Sequence, residues 1–317
     1  MNDMPRSIST TTPRALLQRL GPLLSLALLL AVLAALSADF RTLSNLLTVL
    51  RQVSINALIA FGMSFVILTG GIDLSVGAIL ALTGAVTAHL LGAGHGMAAA
   101  LGAGLGLGLL LGLVNGALVA WGRVAPFIAT LGSMTLLRGV TLAYTQGQPI
   151  VVGRSDFALI GDGYIGHLLP NPVLWMALAF AVCGFLLRGT VFGRHVFAVG
   201  GNEEAARIAG VRVGWIKLGA YGLSGLLAAL AGIVLTSRLH SAQPTAGTGY
   251  ELDAIAAVVL GGTSLSGGRG WLLGTLVGAL LIGFLNNGLN LLGVSSFYQQ
   301  VVKGAVILIA VLLDRRR

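Results

Sequence analysis

The sequence predicts an all-α polytopic membrane protein of about ten transmembrane helices, some of them short or broken. Three observations predict this fold class. The 317 residues are 56% hydrophobic and only 9% charged, the mean hydropathy is +0.93, and apolar segments of bilayer length recur throughout the chain. This composition excludes an ordinary soluble domain. Glycine accounts for 47 residues, which suits membrane helices that pack through small side chains.

Segments of roughly 20 apolar residues can cross a bilayer. The chain contains ten candidate segments, at residues 20–37, 52–70, 74–92, 98–120, 125–144, 171–187, 217–236, 251–262, 270–286 and 297–313. The eighth is short and needs the glycine pair at its end to complete a crossing. We expect one transmembrane domain over residues 1–317, and an even number of spans places both termini on the same side of the membrane.

The basic residues orient the chain. If the N-terminus is cytoplasmic, the inside segments contain 13 Lys and Arg residues and the outside segments contain four, at Arg41, Arg51, Arg154 and Arg238. This distribution follows the positive-inside rule. Residues 1–19, 188–216 and 314–317 are therefore predicted to be cytoplasmic. The net charge of +9 does not indicate nucleic-acid binding, because the cations lie between apolar runs and not on one face.

The first apolar segment has two interpretations. It follows three arginines and ends in Ala35-Leu36-Ser37-Ala38, which resembles a signal-peptidase site. Its length favours an uncleaved first helix, and cleavage is the alternative.

Several chemistries are not expected. Cys183 is a lone cysteine inside an apolar run, and the five histidines are scattered without metal-ligand spacing. Neither Lys217 nor Lys303 stands in a phosphate-binding P-loop. No paired acid and base, activated nucleophile or metal cluster is visible. We therefore expect no enzyme activity, and no metal or cofactor on this chain.

Asp73 follows the glycines Gly70 and Gly71 between two apolar runs. A lipid-facing Asp at the bilayer centre costs about 3 kcal/mol, more than its apolar neighbours offset. Asp73 must therefore lie at a helix end, inside protein or on a water-filled path, and the glycines permit a helix break there. A broken helix with a polar group at depth is typical of transporters. The same Gly-Gly-x-x-Leu-Ser pattern recurs at 261–266, either by chance or as an internal repeat.

Polar side chains in apolar surroundings are candidates for a translocation path. They are Asn56, Asp73, Ser75, Asn115, Asn286 and Asn290. Amide groups suit sugar hydroxyls because they both donate and accept hydrogen bonds. Asn286 and Asn290 share a helix face because they are four residues apart. The alternative is that these groups only join helices, at about 1 kcal/mol each, and that Asp73 anchors the broken helix by accepting backbone N–H groups.

The predicted cytoplasmic loop 188–216 is the least membrane-like part of the chain. Within it, residues 200–210 form the pattern of a short capped helix. Asn202 is an N-cap, Glu203 and Glu204 complement the helix dipole, and Gly210 can end the helix. So short a helix is unstable alone in water, so a partner or the membrane domain must support it. The alternative is an amphipathic surface helix without a partner.

The loop and several other blocks resemble a known family. The blocks are 71–77, 81–86, 127–131, 138–140, 258–265, 283–296 and, most specifically, 241–256 (SAQPTAGTGYELDAIA). They are similar to the membrane permeases of ATP-driven (ABC) sugar importers, in the ribose-type branch of the branched-chain amino acid and ribose permease superfamily. The resemblance extends from about Asn45 to the C-terminus and is weak over the first 40 residues and over 146–172.

The resemblance implies an ABC-importer permease bundle in the bacterial inner membrane. It implies a homodimer, a separate cytoplasmic subunit that binds ATP and a periplasmic sugar-binding protein. The transported compound would be a monosaccharide, with ribose as the first candidate, moved from periplasm to cytoplasm. The residues carried over as contacts to the ATPase are Gly200, Gly201, Asn202, Glu203, Glu204, Ala205, Arg207 and Gly210.

Two predicted outside stretches, 146–172 and 237–250, are polar enough to receive a binding protein. The second is preferred because Gln243, Thr245, Thr248 and Tyr250 offer neutral hydrogen-bonding groups beside turn-forming residues. Loops that only cap helices would have a similar composition. The alternative function for the whole chain is a secondary transporter of a small polar solute, driven by an ion gradient.

Overall fold

The computed structural model describes residues 13–166 and 168–314. The predicted cytoplasmic termini fall largely outside this part of the chain, at 1–12 and 315–317. The described residues form α1 (Pro13–Leu36), α2 (Leu43–Leu68), α3 (Val76–Gly92), α4 (Met97–Ala120), α5 (Pro126–Thr145), α6 (Ser155–Asp162), α7 (Asn171–Gly189), α8 (Val191–Gly201), α9 (Glu203–Ile208), α10 (Val213–Leu239), α11 (Tyr250–Leu260), α12 (Leu272–Leu291) and α13 (Ser296–Asp314). A single 3-10 turn at Asp39–Arg41 precedes α2.

Short strands join the loops at one end of the helices. Strand β1 (Ile150–Val151) pairs antiparallel with β4 (Ser241–Ala242), and β2 (Tyr164–Ile165) pairs antiparallel with β3 (Leu169–Pro170). The predicted outside loop 146–172 is therefore folded, with α6 between β1 and the β2–β3 hairpin.

In the part of the chain that the structure describes, six helices are long and apolar enough to cross a bilayer, namely α2, α4, α5, α7, α10 and α12. Two shorter apolar stretches are Gly21–Leu36 of α1 and the whole of α3. The predicted all-α polytopic architecture is confirmed at this level, and the six helices correspond to six of the ten predicted segments.

Helix α10 lies at the centre and packs against α2, α3 and α4. Glycines of α4 allow this helix to come very close to α10. A Cβ added at Gly108 would lie 2.3 Å from the Ala229 Cβ, and one at Gly112 would lie 2.3 Å from the Tyr221 carbonyl oxygen. A second glycine series packs α12 onto α11, since a Cβ at Gly278 would lie 1.9 Å from the Ala257 oxygen. The four-residue glycine spacing therefore serves helix packing.

Several predicted boundaries differ from the observed ones: α1 begins at Pro13 and not at 20, α12 ends at Leu291 and not at 286, and the start of α2 differs most. Helix α2 begins at Leu43 and not at 52, because the Thr42 side chain caps it by accepting from the backbone N–H of Asn45. Arg51 consequently lies within α2 and not in an outside loop. Its guanidinium pairs with Asp162 at 3.2 Å. Most of the predicted loop 188–216 is also helical, because α8 and α9 fill it and α10 begins at Val213.

Candidate functional site

The segment predicted to couple to an ATPase consists of two helices with Asn202 between them. Asn202 Oδ1 accepts from the backbone N–H of Ala205 at 2.9 Å, and Gly210 has φ +85° just beyond the end of α9. The predicted cap and helix end are confirmed. Gly200 and Gly201, which precede the predicted cap, belong to the last turn of α8, where a helix tolerates glycine because a neighbouring backbone comes close.

One side of α9 is fixed to the membrane domain. Lys217 of α10 donates to Glu203 at 2.7 Å, and Arg207 bridges Glu203 at 3.1 Å and Glu204 at 2.9 Å. Ala206 is buried, whereas Ile208 is 80% exposed. Of the predicted contact residues, the exposed ones are Gly201, Asn202, Glu204, Ala205, Arg207 and Gly210. The helix therefore presents a mainly polar face away from the bundle, with the apolar side chain of Ile208 exposed beside Glu204.

Gly200 faces inward and meets the end of α2. A Cβ added at Gly200 would lie 1.8 Å from the Leu68 carbonyl oxygen and 2.4 Å from the backbone nitrogen of Gly268. Gly268 itself donates its N–H to the Leu68 oxygen at 3.0 Å. We call this contact of Leu68, Gly200 and Gly268 the glycine seam. It is made by backbone alone.

The glycine seam also joins the two Gly-Gly-x-x-Leu-Ser segments. A Cβ at Gly267, just after the second copy, would lie 2.9 Å from the backbone nitrogen of Gly70 in the first copy and 3.0 Å from the Gly200 Cα. The two helix breaks are thus neighbours in space, and α8 touches both of them. Whether or not the repeat arose by chance, its copies form one structural unit.

Asp73 is fully buried and its carboxylate is occupied by hydrogen bonds. Oδ1 accepts from the N–H of Ser75 at 3.0 Å and from its hydroxyl at 2.6 Å, and Oδ2 accepts from the Ser224 hydroxyl at 2.9 Å. Asn115 donates to Ser75 Oγ at 2.8 Å and accepts from Ser133. Three path candidates, Asp73, Ser75 and Asn115, are thus brought together in a buried network that ties the helix break to α4, α5 and α10.

The other three path candidates are separate from this network. Asn56 on α2 and Asn286 on α12 are half-buried, and the amide oxygen of each has no hydrogen-bond partner within the described residues. Asn290 lies on α12 with Asn286, as the spacing predicts, and its oxygen accepts from Gln299 at 3.3 Å.

Sequence reasoning missed three polar residues of the bundle. Asn45 and Asn287 exchange amide hydrogen bonds of 3.1 and 2.8 Å, which join α2 to α12. The only available signal was that Asn287 is adjacent to a candidate. Ser224, the α10 partner of Asp73, is a lone serine in an apolar run and carried no signal.

A cavity of about 410 Å³ opens beside the coupling segment. It lies between the first helix break, at Gly70 and Gly71, and the start of α9, and the ion pair of Glu203 with Lys217 lines it. Tyr221 also lines it, and its hydroxyl donates to the Ile72 carbonyl oxygen at 3.3 Å.

The loop predicted to receive a binding protein lies between β4 and α11. Arg138 of α5 donates to the carbonyl oxygens of Pro244 and Ala246 at 2.9 and 2.8 Å. Gly247, with φ +72°, packs on Gly77 at the start of α3. These contacts hold the loop in one conformation. Its predicted contact residues Thr245 and Thr248 are exposed, and Gln243 and Tyr250 are half-buried.

Residues 45–311 match the family described as branched-chain amino acid transport system / permease component. The chain belongs to this permease family. It is 60% identical over 303 residues to the ribose import permease protein of Bacillus subtilis (strain 168), which covers 95% of this chain and 94% of the relative. It is 54% identical over 307 residues to the ribose import permease protein of Escherichia coli (strain K12), with 96% of each chain covered.

The D-allose transport system permease protein of Escherichia coli (strain K12) is 41% identical over 298 residues, which covers 93% of this chain and 91% of that protein. No solved structure matches the chain. The predicted family resemblance is confirmed. The chain is a multi-pass transport permease of the inner membrane, and it is not an enzyme.

Proposed function

We propose that this chain is the membrane-spanning subunit of an ATP-driven importer that moves a monosaccharide, with ribose as the first candidate, from periplasm to cytoplasm. The identity of 60% and 54% to two ribose import permeases, over nearly the full length of each, carries this proposal. The proposed partners are a second copy of this chain, a cytoplasmic ATP-binding subunit, a periplasmic sugar-binding protein and the lipid bilayer. ATP would bind the partner subunit.

The proposed topology has ten spans with both termini in the cytoplasm. The ten spans would be the six long helices, the two shorter apolar stretches Gly21–Leu36 and α3, and the helices α11 and α13. Asp253 of α11 and Lys303 of α13 form an ion pair of 3.0 Å, which keeps both charges compensated inside such a bundle.

The exposed face of α9 is the proposed contact to the ATPase. Glu204, Arg207 and the cap residue Asn202 would contact the ATPase. Gly200 and Glu203 face the membrane domain and would transmit the movement of the ATPase to it. For the sugar, Asn56, Asn286 and Asn290 remain candidate contacts. Asp73, Ser75 and Asn115 serve better as the anchor of the helix break, since their hydrogen bonds are already made.

The decisive experiment is ribose uptake by the permease reconstituted with its ATPase and sugar-binding protein in liposomes. We expect uptake that requires ATP. Glu204→Lys reverses the charge that pairs with Arg207, and Gly210→Pro cannot adopt φ +85°, so both should abolish uptake and leave membrane insertion intact. Normal uptake by both variants would refute the coupling role. Uptake that persists without ATP and collapses with the proton gradient would favour the secondary transporter.

The orientation is tested separately by cysteine labelling. Cys183 is buried and can be replaced by Ala to give a cysteine-free background. Ile208→Cys then places a thiol at an 80% exposed position on α9. An impermeant maleimide should label it in inside-out vesicles and not in intact cells. Labelling in intact cells would refute the importer topology.

A further inference from the structure

A second cavity, of about 340 Å³, lies at the other end of the α2–α10 pair from the coupling segment. Its polar lining consists of Gln52, Arg238, Gln243, Thr245 and Tyr250. Aliphatic side chains of α2 and α10, including Ile55 and Leu235, complete the wall. We call this space the outer cavity, because the proposed topology places it on the periplasmic side.

The polar groups of the outer cavity have hydrogen-bonding capacity to spare. Within the described residues, neither the Arg238 guanidinium nor the Tyr250 hydroxyl makes a hydrogen bond or an ion pair. Gln243 donates its amide N–H to Ser241 at 3.0 Å, which leaves the carbonyl oxygen available. The adjacent Arg51 differs from Arg238, since it pairs with Asp162 and its guanidinium lies 4.4 Å over the ring of Tyr164.

This combination of groups suits a small neutral polyol. The amides donate and accept, the hydroxyls do both, and Arg238 adds a fork of donors, which together match the alternating hydrogen-bonding pattern of sugar hydroxyls. The ring of Tyr250 and the aliphatic wall can cover the C–H faces of a sugar. A carboxylate would use Arg238 and leave the neutral groups without partners. The volume is at the lower end of small-molecule pockets, of the order of 300–1,000 Å³.

A further acceptor lies deeper on the same helix face. Asn56 is one turn from Gln52 on α2, so both side chains lie on the same face of that helix, and the Asn56 amide oxygen has no partner within the described residues. Beyond it the helices close: a Cβ added at Gly62 would lie 2.8 Å from the Ser224 Cα, and Phe61, Phe65 and Tyr221 are fully buried. The outer cavity is thus separated from the cavity beside α9.

We propose that the outer cavity is a monosaccharide-binding site, which receives the sugar at the periplasmic mouth of each permease chain before it crosses. Arg238, Gln52 and Gln243 orient the hydroxyls, and Tyr250 covers one face. Asn56 offers the next hydrogen bond inward. This inference rests on the proposed function and deepens it, since it assigns to the permease chain a sugar site of its own in addition to the site on the binding protein.

The test measures D-ribose binding to the full-length permease alone in lipid nanodiscs, by saturation-transfer NMR with empty nanodiscs as reference. Gln52→Ala changes an exposed side chain, and Arg238→Gln keeps donors while removing the fork. Each should weaken ribose binding about tenfold, the loss expected for one or two hydrogen bonds. Arg41→Gln, at an exposed arginine just before α2 and away from the outer cavity, is the matched control and should bind as the unmodified chain does.

Association of the sugar-binding protein with the same nanodiscs is measured in parallel. Ribose binding that falls in both variants, with unchanged association, supports the site. No ribose signal above empty nanodiscs, or equal binding by all variants, overturns it. Weakened association with unchanged ribose binding also overturns it, because the outer cavity would then receive an acidic side chain of the partner. Failure of the proposed function appears differently, as no ATP-dependent ribose uptake by the unmodified complex.

Discussion

Gly200→Ala tests whether movement of the coupling segment reaches the helix breaks through the glycine seam. The added Cβ would lie 1.8 Å from the Leu68 oxygen, and ordinary contact begins at 3.4 Å, so the two backbones must separate by about 1.6 Å. Such overpacking typically costs about 1–3 kcal/mol. The separation would also break the hydrogen bond from Gly268 to Leu68. We therefore expect ATP hydrolysis to continue while ribose uptake falls at least about tenfold.

The neighbouring glycine provides the matched control. A Cβ added at Gly201 has nothing within 4 Å, so Gly201→Ala changes the helix to the same extent without touching α2. Because Gly201 is itself a predicted ATPase contact, binding of the ATPase is measured for both variants and must be equal. Uptake and ATP hydrolysis are measured together in liposomes that contain the full complex, and the ratio of sugar moved to ATP hydrolysed is compared. Equal ratios for Gly200→Ala and Gly201→Ala would refute the idea that the glycine seam transmits force.

Three other changes test separate parts of the structure. Asn202→Ala removes the cap of α9 at a cost of about 1 kcal/mol, and hydrogen–deuterium exchange of residues 203–208 should become faster; unchanged protection would contradict the cap. Ser224→Ala leaves one oxygen of buried Asp73 unpaired at a cost of about 1–3 kcal/mol, so the melting temperature in detergent should fall, and an unaltered melting temperature would argue against the network. Arg138→Gln releases the loop before α11, and binding-protein association should weaken several-fold; equal affinity would show that the loop does not need this support.

Local signals in the sequence were sufficient to predict the long apolar helices and the capped helix α9. Asn202 followed by two acidic residues predicted the start of α9, since N-capping depends only on near neighbours. The start of α2 was missed because its first turns carry Asn45, Arg51 and Gln52, which lower the hydropathy of the segment. Asn45 and Arg51 are tolerated there because they form hydrogen bonds with Asn287 and Asp162, respectively.

The candidate site could be predicted only as a set of residue types. Asp73 demanded a protected position on energetic grounds alone, and the structure supplies it through Ser224, which is 151 residues away. Likewise, Gln52 and Arg238 become neighbours in the outer cavity only because α2 and α10 pack together. Pairings of this kind depend on the packing of distant helices, and no spacing in a single sequence reports them.

The contact between the coupling segment and the helix breaks consists only of main-chain atoms, and this limits how substitutions can adjust it. At Leu68, Gly200 and Gly268 the touching atoms belong to peptide groups, which are identical in every residue. Exchanging one side chain for a slightly larger or smaller one therefore cannot adjust the fit in small steps, because the smallest available increment is a whole methyl group. Changing the distance that the coupling segment moves would require changes in the length or pitch of the flanking helices.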